Sequence, residues 1–378
     1  MGFGGWERWR CAATVPGHEP GGGVSAQAAA RTQTERRPTG RRLSRGIGAG
    51  VKARVRPELP RRPRAAPWAI CGAMAFRITR PILSGMEDAA ENSTDTTVAG
   101  NEPRSAAAPP AWTRGRDITG RLVFLGTGTS VGVPVVGCGC GVCTSADPRD
   151  KRTRTSVAVG LPAGHLLIDT TPDLRGQLLR ESIARIDAIL YTHDHVDHVY
   201  GLDDVRPICY AAGRPLPVFC EERVETRIRR AFDYAFEAVP VPGGGVPKLT
   251  FERITTAPFT LLGAHVTPLR LGHGVFDVLG FRFGAVAYCT DTNLIPDETW
   301  PLLAGLDTLV LDCLRPARHP THLSLTEALA VAERVGARRT LLIHMGHELG
   351  HAAVSAALPA GVELAYDGLE IPLDVAAV

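Results

Sequence analysis

With 378 residues and a net charge of +3, from 42 Lys+Arg against 39 Asp+Glu, the chain is long enough for one large domain or two smaller ones. Residues 1–65 hold 14 basic and 4 acidic side chains, which leaves the remainder at −7 and argues against a polyanion as the partner of the later part. Nine cysteines, an odd number, argue against a disulfide framework and for a cytoplasmic protein.

Residues 1–115 read as a disordered basic tail rich in Gly, Pro and Arg, and residues 116–378 as the folded domain. The composition changes abruptly enough that the tail reads as translated from an upstream start, with Met74 or Met86 the initiator. Nucleic-acid binding by the tail is the alternative, but no motif or aromatic-basic interleaving supports it. No secretory signal stands out, because the N-terminus lacks a continuous apolar core. Pro67–Phe76 is too short to span a bilayer, so no membrane partner is expected.

Beyond the tail, strand-like runs alternate with glycine turns and helical segments. Leu122–Gly126, Ser156–Gly160 and His165–Asp169 read as strands, Thr171–Glu181 as a helix and Ile186–Tyr191 as a buried strand. Later strands are expected at His265–Leu271, Ala285–Cys289, Leu309–Asp312 and Thr340–Ile343. Leu325–Val335 reads as an amphipathic helix, with Ser324 its N-cap and Glu327 the capping-box partner. This order favours an α/β class, layered as an αββα sandwich, over a doubly wound sheet. Cys209, Cys220, Cys289 and Cys313 lie in apolar runs and read as core, and His165, His265 and His319 receive the same structural reading.

Three imidazoles and an unpaired carboxylate fall within six residues, as His193, His195, Asp197 and His198, directly after the buried strand. Histidine is scarce, 12 of 378 residues, so composition does not explain the cluster. Imidazole and carboxylate suit zinc or manganese, and the spacing lets alternate side chains face different ions, so two metals are expected. A solvated polar loop is the alternative reading. Further candidates each close an apolar strand: His273 after His265–Leu271, Asp291 after Ala285–Cys289, and His344 after Thr340–Ile343. Asp169 and Asp312 are candidates for holding ligand imidazoles in the required tautomer, and Asp194 either does likewise or faces solvent.

A second constellation lies at Cys138, Cys140 and Cys143, where three thiols and intervening glycines can wrap one ion. Thiolates at that density suit a tetrahedral structural zinc. His347 is the first choice for its fourth ligand and His351 the alternative, while a redox-active or simply buried thiol cluster is the competing reading.

The H-x-H-x-D-H pattern after a strand resembles the signature of the metallo-β-lactamase superfamily. That resemblance implies that His193, His195 and His273 hold one ion, Asp197, His198 and His344 the other, and Asp291 bridges both. The Cys-x-Cys-x-x-Cys loop, the preceding Phe124–Pro134 segment, Gly201-Leu202-Asp203-Asp204, Leu311-Asp312-Cys313 and His322 narrow the likeness further. Over about Leu122–Ile371 the chain resembles the phosphoribosyl cyclic phosphodiesterase branch known from phosphonate degradation.

By that resemblance the protein is a dinuclear phosphoric diester hydrolase opening 5-phosphoribosyl 1,2-cyclic phosphate to ribose 1,5-bisphosphate through a hydroxide shared by two metals. Asp197, Asp291 and His322 would be its catalytic residues, with His322 beside the substrate phosphate at a helix start that is itself a natural anion site. Two similar halves, a homodimer and a small phosphorylated substrate are also implied. The alternatives are an RNA-processing nuclease resembling the transfer-RNA 3′-processing endonuclease, for which no inserted basic arm is evident, and a non-enzymatic zinc-binding protein.

Overall fold

The computed structural model describes residues 115–237 and 245–375. Apart from Gly115, the tail expected over 1–115 lies outside the described residues, and so do Met74, Met86 and Pro67–Phe76.

The apolar runs pair into two seven-stranded sheets. The first contains β1 (Arg121–Gly126), β2 (Ser156–Leu161), β3 (Gly164–Ile168), β4 (Ala188–Leu190), β5 (Leu216–Cys220) and β6 (Leu249–Arg253). The second contains β7 (Phe259–Leu261), β8 (Ala264–His273), β9 (Phe276–Phe283), β10 (Val286–Cys289), β11 (Thr308–Asp312), β12 (Arg339–Ile343) and β13 (Val362–Leu364). The last strand, β14 (Glu370–Pro372), returns to the first sheet and pairs antiparallel with β1. Each sheet runs through three antiparallel ladders and then three parallel ones, so the two halves are alike in topology.

Strand burial explains the layering. β2 and β3 are buried at every position, as strands covered on both faces must be. Phe124 and Leu166 from the first sheet meet Phe281, Phe283 and Tyr288 from the second in one continuous core. Fully burying each such side chain contributes about 1.5–3 kcal/mol. The outer face of the first sheet is covered by α1 (Leu174–Arg180), α3 (Arg206–Ala212) and α4 (Glu222–Ala231), with the short α2 (Val196–Val199) between α1 and α3 in the chain. The second sheet is covered by α5 (Leu325–Val335) and α6 (His351–Ser355). The architecture is therefore the expected αββα sandwich. No helix among the described residues is long and apolar enough to cross a membrane.

α5 spans the expected residues and carries the expected cap: the Ser324 hydroxyl accepts from the Glu327 backbone N–H while the Glu327 carboxylate accepts from the Ser324 backbone N–H. Three local expectations need correcting. α1 begins at Leu174 rather than Thr171, because the residue before a proline is disfavoured in helical conformation and Pro172 follows Thr171. The Thr171 hydroxyl instead donates to Gln177 and accepts from the Asp173 N–H. His265 falls on the outward phase of β8 and is exposed rather than core. His319 is half-buried, with its ring centroid 5.3 Å from that of His322. The core reading holds for His165, whose Nε2 pairs with Asp117, and for the four cysteines.

The loop after β3 docks against α2 at Gly201. Thr170 N–H donates to His198 O, Gly201 N–H donates to Thr170 O, and a Cβ at 201 would lie 1.8 Å from Thr171 O. Gly201→Ala is accordingly expected to destabilise the fold by about 1–3 kcal/mol, measured as a lower denaturation midpoint.

Candidate active site and metal centres

β3, β4, β8, β10, β11 and β12 all deliver polar residues just at or beyond their C-terminal ends: Asp169, the 193–198 segment, His273, Asp291, Asp312 and His344. Sequence positions 150 residues apart thereby meet in one place. His193, His195, His273 and Asp291 present ligand atoms within 4.8 Å of one another, and so do Asp197, His198, Asp291 and His344. Asp291 belongs to both groups. Its Oδ1 lies 3.3 Å from His198 Nε2, and its Oδ2 lies 3.3 Å from His344 Nε2 and 3.8 Å from His193 Nε2.

The surroundings of these imidazoles fix which nitrogen faces inward. Asp169 accepts from the Thr192 N–H and hydroxyl at 2.9 and 2.8 Å and sits 2.7 Å from His198 Nδ1. With its proton committed to Asp169, the Thr192 hydroxyl accepts from His193 Nδ1–H at 2.9 Å. His273 Nδ1–H donates to Thr321 O at 2.7 Å. Each bond ties up an Nδ1–H and leaves Nε2 with a free lone pair aimed at the centre. His193 Nε2, His198 Nε2 and both nitrogens of His344 are buried without a hydrogen-bond partner. Leaving such atoms unsatisfied is costly, and a divalent cation is the partner that this donor set fits.

Charge within the cluster is balanced internally. Burial pushes the imidazoles of His193, His195 and His273 below their ordinary range. Burial also acts on His198 and His344, but the carboxylates outweigh it. Asp291, Asp197 and Asp169 hold His198 well above its ordinary value, and Asp291, Asp197 and Asp312 raise His344 to about 9. Asp197 and Asp291 stay below the usual carboxylate range despite burial, held there chiefly by His198 and His344. Cations binding here would take the place of those imidazole protons.

Backbone geometry adds a second mark of function. Asp169, Asp291 and His344 adopt positive φ of 64°, 52° and 58°. Each such conformation costs a non-glycine residue of order 1–3 kcal/mol and persists only where its surroundings enforce it.

The cysteine loop comes together with His347. Cys138, Cys140 and Cys143 place Sγ 3.3, 3.5 and 3.5 Å from His347 Nδ1. A tetrahedron with Zn–S of about 2.3 Å and Zn–N of about 2.0 Å has S···N edges of about 3.5 Å, so this group fits zinc. His351 is elsewhere, its backbone N–H bonded to Asp150 and its ring 5.9 Å from Tyr366. The Cys143 backbone N–H donates to Cys140 Sγ, holding that thiol down at about 6, while burial pushes Cys143 up.

Arg152, which was not singled out from sequence, is wholly buried and donates to Gly346 O and Leu349 O, fixing the segment that carries His347. Its position two residues beyond Asp150, amid a basic run, offered no signal of burial. Only Met345 and Gly346 separate His344 in one cluster from His347 in the other.

His322 lines a cavity of about 480 Å³ together with His195, His273, Asp291 and His344. Its Nδ1 lies 3.2 Å from Asp312, whose carboxylate also lies 3.6 Å from His344 Nδ1 and accepts from the Leu323 N–H. Asp194 points away from the cluster and pairs with Arg223 at 2.9 Å and Arg227 at 3.4 Å.

The family described as beta-lactamase superfamily domain matches residues 165–345. A solved structure described as a new diphosphatase from the PhnP family is 41% identical, with a TM-score of 0.64, and the match covers 68% of this chain and 99% of that one. The octanoyltransferase of Porphyromonas gingivalis is 40% identical over 257 residues, 67% of this chain and 52% of that protein. This chain therefore spans about half the length of that curated relative, whose name describes the whole protein. Zinc-bound PqqB from Methylobacterium extorquens is 21% identical with a TM-score of 0.55, covering 67% of this chain and 100% of that one, a likeness of fold alone.

Two changes separate the centres. Cys140→Ser is expected to remove one metal equivalent and lower the melting temperature, with activity falling as a consequence; elemental analysis showing an unchanged zinc count would contradict the thiol site. Asp169→Asn is expected to weaken metal affinity about 10–100-fold in competition with a chelator, because His198 loses the carboxylate that orients it.

Proposed function

This chain belongs to the metallo-β-lactamase superfamily, on the branch of the PhnP-family diphosphatase, and from that membership we propose that it is a dinuclear metal-dependent hydrolase of small doubly substituted phosphates. Its finer candidates are 5-phosphoribosyl 1,2-cyclic phosphate, implied by the sequence resemblance, and a small diphosphate, the bond class in the neighbour's name. The observation that carries the reading is buried Asp291 shared between two four-donor groups beside the cavity that His322 lines.

His193, His195, His273 and Asp291 would hold one cation, and Asp197, His198, Asp291 and His344 the other. When bound, the two cations would lower the pKa of water and screen the phosphoryl oxygens. Zinc and manganese both suit these ligands, whereas the thiol group suits zinc.

The chain itself supplies orientation and a proton. Asp312 holds His322 through Nδ1, which leaves Nε2 for the cavity. As a water that has released one proton to solvent bonds through oxygen to phosphorus and the opposite P–O bond breaks, His322 Nε2–H gives its proton to the leaving oxygen and is reprotonated from solvent. Asp312 keeps the ring oriented, as the carboxylate does in other carboxylate–histidine pairs. Asp197 and Asp291 remain ionised and hold the cations. A cytoplasmic location belongs to the same proposal, supported by seven described cysteines that are all unbridged, and a homodimer is carried over from the resemblance.

The test is a panel of metal-loaded full chain against bis(p-nitrophenyl) phosphate, the cyclic ribose phosphate, a nucleoside diphosphate ester and a transfer-RNA precursor. Hydrolysis of the small substrates without RNA cleavage is expected; RNA cleavage would favour the nuclease, and metal binding without hydrolysis of any substrate a zinc-binding protein. His322→Ala is expected to lower kcat by about 10²–10⁴ with metal content unchanged.

A further inference from the structure

The cavity carries charge at one end only. Its polar side is the imidazole and carboxylate cluster, and among the described residues no lysine or arginine lines it. Arginines close in sequence or contact to its lining residues have other partners. Arg154 donates to Ser130 O and pairs with Asp173 at 2.9 Å, Arg318 pairs with Glu327 at 3.2 Å, and Arg315 donates to carbonyls of its own loop. Arg223 and Arg227 share the single carboxylate of Asp194, which leaves one surplus positive charge, but neither lines the cavity.

Beside the cluster the lining is apolar and fixed in place, with the Phe276 ring edge-on to His195 at 6.3 Å. Val275 and Phe276 line the cavity while 91% and 48% exposed. They belong to the tight hairpin between β8 and β9, in which His273 pairs with Phe276 across Gly274 and Val275. Gly274 adopts φ +66°, and its N–H donates to Asn293 Oδ1 at 2.8 Å; the other end of that amide donates to Pro320 O at 3.0 Å. A Cβ at 274 would lie 2.6 Å from Thr321 Cγ2, so the tip packs directly on the segment that bears His322. The Arg223 guanidinium sits 5.2 Å from the Phe276 ring centroid and backs the ring. Two large apolar side chains on a pinned hairpin beside a charged cluster form a wall that water alone does not suit.

We propose that Phe276 and Val275 form a subsite for an aromatic substituent of the substrate, so that aryl- or nucleobase-bearing diesters and diphosphates are preferred over substrates carrying a further terminal phosphate. The inference rests on the phosphate-hydrolase reading and names its substrate class. A dianionic terminal phosphate here would meet no free cation in the lining, whereas an aromatic ring finds an exposed ring held at a fixed distance from the reacting end.

The test compares bis(p-nitrophenyl) phosphate with methyl p-nitrophenyl phosphate, which release the same leaving group and differ in the retained one. The ratio of their kcat/KM values in metal-loaded wild type is expected to fall about 2- to 10-fold in Phe276→Ala, cancelling intrinsic reactivity, and to recover in Phe276→Tyr. Methyl ester turnover and metal content of the same variant report any effect on the reacting end, because the Phe276 ring lies 6.3 Å from that of His195, so that only the ratio reads the subsite. An unchanged ratio overturns the proposal, and so does a kcat/KM gain from the 5-phosphate of 5-phosphoribosyl 1,2-cyclic phosphate that Arg223→Gln abolishes.

Titrating the same proteins with phenylphosphonate and methylphosphonate tests the wall without turnover. Tighter phenylphosphonate binding that needs Phe276, with no hydrolysis of either ester, would sink the hydrolase reading and keep the subsite. Equal affinities would sink the subsite.

Discussion

Three imidazoles packed around one buried carboxylate, Asp291, are the constraint that organises this protein. Burying an unpaired charge costs several kcal/mol, so a carboxylate that is 2% exposed persists only among partners able to carry positive charge. The strands supply those partners because they end together. Two sheets with the same sequence of ladders bring six strand ends to one rim, five contributing one polar group each and β4 the four of the 193–198 segment. The sandwich is thus a scaffold that converges short, chemically simple loops, and the apolar core between its sheets keeps that convergence rigid.

A set of hydrogen bonds behind the cluster converts convergence into direction. Asp169, Thr192, Thr321 O and Asp312 each face a different ring, and together they decide which nitrogen is protonated on His193, His198, His273 and His322. Asp312 reaches toward both His322 and His344 and so ties the candidate acid to the candidate metal cluster. Left-handed backbone at Asp169, Asp291 and His344 turns these side chains inward where a β-strand would have carried them past. The sheet and helix packing must hold those three strained residues against their own preference.

What could be read from the chain was what is local in it. The 193–198 motif, the cysteine loop and the Ser324–Glu327 cap each lie within a few residues, and each spacing has one economical use. The order of strand-end candidates was also legible, since each terminates an apolar run. What escaped depends on distant neighbours. Arg152 sits in a run of basic residues that looks solvated, yet it is wholly buried because carbonyls at 346 and 349 come to meet it. His319 read as core and borders His322 instead, three residues away, because the bend at Pro320 and Thr321 turns the two rings together rather than inward. The Phe276 wall was equally hidden, because Gly274 marks a turn in the sequence but not which residues that turn packs against.

The short span between His344 and His347 has a consequence for descent and for engineering. Because two residues link a ring in the cation cluster to a ring in the thiol cluster, the two centres share one tether and one docking partner in Arg152. Neither can be transplanted, deleted or lengthened on its own without moving the other. Lineages that discard the thiol loop must therefore re-anchor the stretch after β12 by some other means, and that stretch is where compensating sequence change should be sought.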